Sequence, residues 1–133
     1  MIQTVINAIA STLHTTFGDS YTIYDKPVEQ GFNEPCFSIV MIQQQINKMA
    51  MTRSRRTTPF VIHYFGENKI AVLDTLIEVL DEINFQGNNF RATNVYGEID
   101  DVNNVLHFYV NYNYEMIDTA HEVEMSDLSV EMK

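Results

Sequence analysis

Apolar positions recur at helical spacing at the start of the chain. Ile2, Val5, Ile6, Ile9, Leu13 and Phe17 form one stripe, the pattern of an amphipathic helix that buries a single face. Gly18 follows as a C-terminal stop. A stripe of this kind packs on its own sheet far more often than it fills a partner's groove. The period then changes. Thr22–Tyr24 predicts a short strand, and 25–35 is irregular, punctuated by Pro27, Gly31 and Pro35. Phe32 is an aromatic stranded among polar neighbours there, suited to a lid, an interface loop or a plug folded back on a connector. Pro35 stands where a strand can begin without losing a needed N–H.

Residues 36–45 open apolar on both faces and then turn polar, and 58–64 are a mixed apolar and aromatic return. Both suit a pleated, partly buried surface. The intervening 46–57 has no Gly and no clear tight-turn signal. Together these stretches predict a long hairpin over 36–65 whose arms outgrow the core.

A second amphipathic helix is predicted over 68–83, with Ile70, Leu73, Leu76, Ile77 and Leu80 buried, closing near Gly87. Two strands follow, 90–99 and 105–114, joined by a polar turn at 100–104. In the second, Leu106, Phe108, Val110, Tyr112 and Tyr114 alternate with Val105, His107, Tyr109, Asn111 and Asn113. One face should be core and the other partly covered. The expected fold is therefore α/β (α+β): a mostly antiparallel twisted sheet, two helices on one face and a long protruding β-hairpin. A single domain is expected over 1–114, with an acidic tail over 115–133.

Composition narrows the classes. The 133 residues, 45% of them apolar, give room for one core and exclude a wholly disordered chain. No apolar run approaches the roughly 18 to 20 residues that span a bilayer, so no membrane partner is expected. The first ten residues lack a basic n-region and read as helix rather than signal peptide. A lone Cys36 forbids an internal disulfide and fits a reducing compartment. A formal charge of −10 argues against nucleic-acid binding over the whole surface.

Against that background the hairpin is unusual. Lys48, Arg53, Arg55 and Arg56 are half of the eight basic residues of the chain. In an extended segment Arg53 and Arg55 share one face and Arg56 takes the other. Met41, Met49 and Met51 add adaptable apolar surface. Such a segment can be a solvated hairpin protected against edge pairing, a docking surface for an acidic neighbour, or the lining of a channel for nucleic acid. The methionines favour a protein interface. Candidate contact residues are Phe32, Lys48, Met51, Arg53, Arg55 and Arg56.

No constellation points to catalysis, a cofactor or a metal. His14, His63, His107 and His121 fit no metal-ligand spacing. His63 and His107 both fall on strands and can share a face, a distant basis for a metal enzyme. Asp74 and Glu78 are four apart on a helix, where a solvated face is the ordinary explanation. Cys36 heads an apolar strand and reads as a small buried hydrophobe.

The run Ile23-Tyr-Asp-Lys-Pro-Val-Glu-Gln-Gly-Phe-Asn-Glu-Pro-Cys-Phe-Ser-Ile39 resembles the tail terminator family of tailed bacteriophages and prophages, especially those of Gram-positive hosts. Phe90-Arg-Ala-Thr-Asn-Val-Tyr-Gly-Glu-Ile99 and Leu106-His-Phe-Tyr-Val-Asn-Tyr-Asn-Tyr114 are similar to the same family, as is the order of elements. The resemblance covers roughly residues 1–114. It implies a virion protein without enzymatic activity that assembles into a ring, typically a hexamer, at the head-proximal end of the tail. That ring would cap the tail tube, stop its polymerisation and offer a surface to a head-completion or neck protein. Genome DNA would pass through the lumen without sequence-specific binding, and assembly would take place in the host cytoplasm. The alternatives are a head-completion or neck protein, and a small nucleic-acid-binding module using the arginine-rich hairpin.

Overall fold

A computed structural model describes residues 1–26, 33–50 and 52–117. The elements in order are α1 (Ile2–Phe17), β1 (Thr22–Tyr24), β2 (Cys36–Met41), β3 (Gln45–Ala50), β4 (Arg53–Phe65), α2 (Lys69–Val79), β5 (Glu82–Phe85), β6 (Asn88–Asp100) and β7 (Val105–Ile117). They build one mixed sheet in the order β1-β2-β4-β7-β6-β5, with β3 added to β4. The β1–β2 pair is parallel and the other pairs are antiparallel. This is the α+β architecture expected from the pattern.

The first stripe behaves as predicted. Val5, Ile9 and Leu13 are buried, joined by Ala8, while Ile6 and Phe17 pack at the margin of the core. Gly18 adopts φ 89° and its N–H donates to His14 O at 2.9 Å. A left-handed residue closes the helix there at little steric cost. Both helices meet the same side of the sheet: α1 contacts β5, β1 and β2, and α2 contacts β6 and β7. Between the layers lie Phe37, Ile39, Phe60, Ile62, Leu106 and Phe108.

The second helix differs from its prediction. It ends at Val79, and Ile83 belongs to β5, where it pairs with Phe90. The buried residues are Val72 and Leu76, continued by Leu80, whereas Ile70 is 75% exposed and Ile77 is exposed as well. Gly97 of β6 explains the rotation: a Cβ there would collide with the side chain of Leu73. The bare backbone seats that turn of the helix on the sheet. Tyr112 fixes the helix end, since its hydroxyl donates to Leu80 O at 2.6 Å inside the core. Tyr112→Phe keeps the ring and strands that carbonyl, so a loss of about 1–3 kcal/mol is expected, read from urea unfolding midpoints.

The hairpin is more structured than its sequence suggests. Regular strand pairing breaks at 42–44, although Ile42 N–H still donates to Pro59 O at 2.9 Å, so β2 and β3 lie consecutively along the single long strand β4. The turn falls just before Arg53, without a Gly to announce it. On its other side, the distal half of β4 pairs with β7, from Thr57↔Asn113 out to Arg53↔Ile117. The extension is thus a three-stranded ribbon rather than a bare hairpin. The strand continues through Glu115 and Met116, residues that the sequence pattern puts at the start of the tail.

Candidate assembly surface

The ribbon formed by β3, the distal half of β4 and the end of β7 gathers the hairpin cations. Arg53 and Arg55 are exposed on the face turned away from the helices, and Arg56 is half-buried on the opposite face, as alternation requires. Lys48 pairs with Ser54 and so shares the face of Arg56. The ribbon is basic on both faces. Phe32 and Met51, the apolar contributors expected from sequence, lie outside the described residues.

Glu115 is the one carboxylate among the described ribbon residues. It stands opposite Arg55 and lies 3.5 Å from Arg53 Nη2. Both partners are about half exposed, so this ion pair contributes no more than about 1 kcal/mol. A single carboxylate leaves the ribbon cationic. The remaining described surface is acidic, with Glu67, Asp74, Asp81, Glu82, Glu98 and Asp101 outnumbering Lys26, Lys69 and Arg91. Charge is therefore segregated in space as well as along the sequence. Apolar side chains surround the basic ones, for Met41, Ile42, Ile46 and Met49 are all exposed on or beside β3. Among the described residues the outer edge of β3 has no strand neighbour, so its free backbone groups are available for pairing.

The histidines meet as their strands allow. His63 and His107 are cross-strand partners with ring centroids 4.9 Å apart, edge to face. Among the described residues no group of three or more His, Cys, Asp or Glu could hold a metal ion. Burial first, then the neighbouring charge of His107, holds His63 below its ordinary value of 6.5. The unfolded chain therefore takes up a proton at His63 more readily than the folded one. The stability associated with neutral His63 is complete above the ordinary value and is lost as pH falls through the lowered folded value. Acidification should destabilise the domain, and His63→Gln should flatten that decline in urea midpoints measured from pH 7 to pH 5.

Two tyrosines are spoken for structurally. Tyr64 donates to Glu67 O at 2.7 Å, and burial, followed by the neighbouring Tyr21, pushes its hydroxyl up to about 12. Burial pushes Tyr112 up as well. Cys36 is buried, and its thiol is raised by desolvation and then by Glu34, the environment of an inert thiol. A depression of about 710 Å³ between α2 and the β6–β7 turn is lined by Asn68, Lys69, Ile70, Asp74, Ile99 and Asp101. Its one cation, Lys69, donates to Gly66 O and Asn104 Oδ1. The features that stand out are surfaces.

The family model described as phage tail terminator protein matches residues 4–124. The chain belongs to the phage tail terminator family. The match takes in all but the first two residues of α1, then α2, the described strands β1 to β7 and the basic ribbon, and it extends past residue 114, where the sequence resemblance ends. It says nothing of the host. No curated protein matches the chain. Membership gives the chain a structural role in phage tail assembly and a place in the virion tail.

Proposed function

We propose that the chain assembles into a ring, typically of six copies, on the head-proximal end of the tail tube. There it ends tube polymerisation and presents a surface to a head-completion or neck protein. The observation that carries this reading is the cationic ribbon on an otherwise acidic molecule. Opposite charges on separate parts of one chain favour head-to-tail contact, and a head-to-tail contact whose rotation closes gives a ring. Arg53, Arg55 and Lys48 are exposed on the ribbon and are assigned to subunit or tube contacts, with Arg56 supporting them. An acidic lumen would repel DNA phosphates and let the genome slide through without reading its sequence. Assembly would take place in the host cytoplasm.

Light scattering on a sizing column over a concentration series, with and without purified tail tube protein, tests the ring. Negative-stain images of the largest species should show rings with a central hole. A strict monomer that also ignores the tubes would contradict the proposal.

The exposed arginines also favour a second reading, direct binding of nucleic acid. It requires DNA affinity of the isolated protein that falls steeply with salt. The ring reading requires weak binding at most.

A further inference from the structure

On the sheet face turned away from the helices, Tyr96 of β6 and Tyr109 of β7 are cross-strand partners. Their rings stack at 4.5 Å with an interplanar angle of 18°. Tyr96 is 55% exposed although it is large and apolar over most of its surface. Beside the stack lies a groove of about 190 Å³, lined by Ile42, Pro59, Asn94, Tyr96, Tyr109 and Asn111. Asn111 Oδ1 is buried and has no hydrogen-bond partner among the described residues. A buried acceptor left unpaired is costly and calls for a donor. Glu98, the next residue of β6 on the same face, is exposed. It lies close enough to Tyr109 to help burial raise that hydroxyl. The groove thus combines an aromatic face, an unpaired acceptor and a carboxylate.

We propose that this groove receives an arginine from the basic ribbon of a second copy of the chain, Arg55 in particular. The guanidinium would stack on the tyrosine pair, donate to Asn111 Oδ1 and face Glu98, while its aliphatic stem lies along Ile42 and Pro59. Planar stacking and a multi-donor fork suit arginine better than lysine. Arg55 of the same chain cannot supply it. It is four residues along β4 from Pro59, the partner of Asn111, which is about 13 Å at the rise of a strand. That span exceeds the reach of an arginine side chain. The donor and acceptor therefore occupy distant parts of one chain, and joining them between copies is a heterologous contact. The assignment rests on the ring reading and names the surfaces that make it.

The test compares wild type, Glu98→Lys, Arg55→Glu and the Glu98→Lys/Arg55→Glu double variant. Each is scored for self-association by light scattering and for capping of tail tubes. Each single variant should raise the concentration needed for ring formation about tenfold or more, and the double variant should recover most of that loss. Circular dichroism should show all four folded, because both positions are exposed. Rings of Glu98→Lys at the wild-type concentration would overturn the groove assignment and leave the ring reading standing. Loss of tube capping with rings intact would also overturn it, since the occupant would then be the tube protein. Wild type that forms no ring, alone or on tubes, would overturn both.

Discussion

Reversing charge at Lys48 and Arg55 together is expected to lower ring formation by about a hundredfold or more while leaving the monomer folded. Each side chain is exposed, and they lie on opposite faces of the ribbon, so the pair tests the ribbon as a unit. A charge-assisted contact contributes roughly 1.5–3 kcal/mol, and the double variant removes two and replaces them with repulsion. Every subunit boundary in a closed ring would feel that loss. The monomer loses little, because substitutions of exposed side chains away from caps and the core usually stay near 0.5 kcal/mol. Arg55 stands opposite Glu115, so its reversal adds a small like-charge penalty within the ribbon. The assay is the concentration midpoint of ring assembly, with the urea midpoint as the folding control. Undiminished assembly would remove the ribbon cations from the interface.

The second large effect concerns the core. Phe108→Ala should cost about 3–5 kcal/mol, a large share of the roughly 5–15 kcal/mol that keeps a domain folded. Phe108 is fully buried on β7, between Ile62 on one neighbouring strand and Gly97 on the other. Its position on a central strand leaves little freedom for the surroundings to close over a cavity. The urea midpoint should fall with little change in slope. Ring assembly should fail at temperatures where the variant is partly unfolded and recover on cooling. A loss below about 1 kcal/mol would mean that this layer of the core is not packed as described.

Much of the fold could be read from residue order because each element announced itself through one dominant period. The i, i+4 spacing from Val5 through Ile9 and Leu13 gave α1, and Gly18 marked its end. Alternation from Leu106 to Tyr112 gave β7 and the face it buries. The turn before it is held by Asp100, whose carboxylate accepts from the backbone N–H groups of Val102 and Asn103, the ordinary use of Asp in a turn. The second helix misled where two signals overlapped. Leu80 and Ile83 continue a helical pattern, yet Glu82–Phe85 is a strand held by pairing with Asn88–Arg91. The signal is local: Gln86 and Gly87, both at positive φ, make the tight turn of a β5–β6 hairpin, where the helical pattern reads Gly87 only as a stop. The face of α2 depended on Gly97, a position that means little until helix and sheet meet.

The candidate surface divides in the same way. Alternation correctly placed Arg53 and Arg55 on one face and Arg56 on the other. The cationic ribbon was visible as a cluster in the sequence, but its third strand was not. Glu115 and Met116 break the clean alternation that ends at Tyr114, and only pairing with Ser54 and Arg55 shows them to be strand. The acceptor groove was hidden for a related reason. Tyr96 and Tyr109 become neighbours through the β6–β7 register, which also contains an irregularity between Ala92 and Asn94. A sequence gives the face that each side chain takes and leaves open which residue stands opposite.

The most direct test of end-capping is the growth of tail tubes from purified tube protein, with this chain added at increasing concentration. Tube lengths and ends would be measured in negative-stain images. The ring account predicts that elongation stops, that lengths shorten with dose, and that extra density appears at one end only. Tubes that grow to the same lengths with bare ends, at concentrations where the chain is folded, would contradict it.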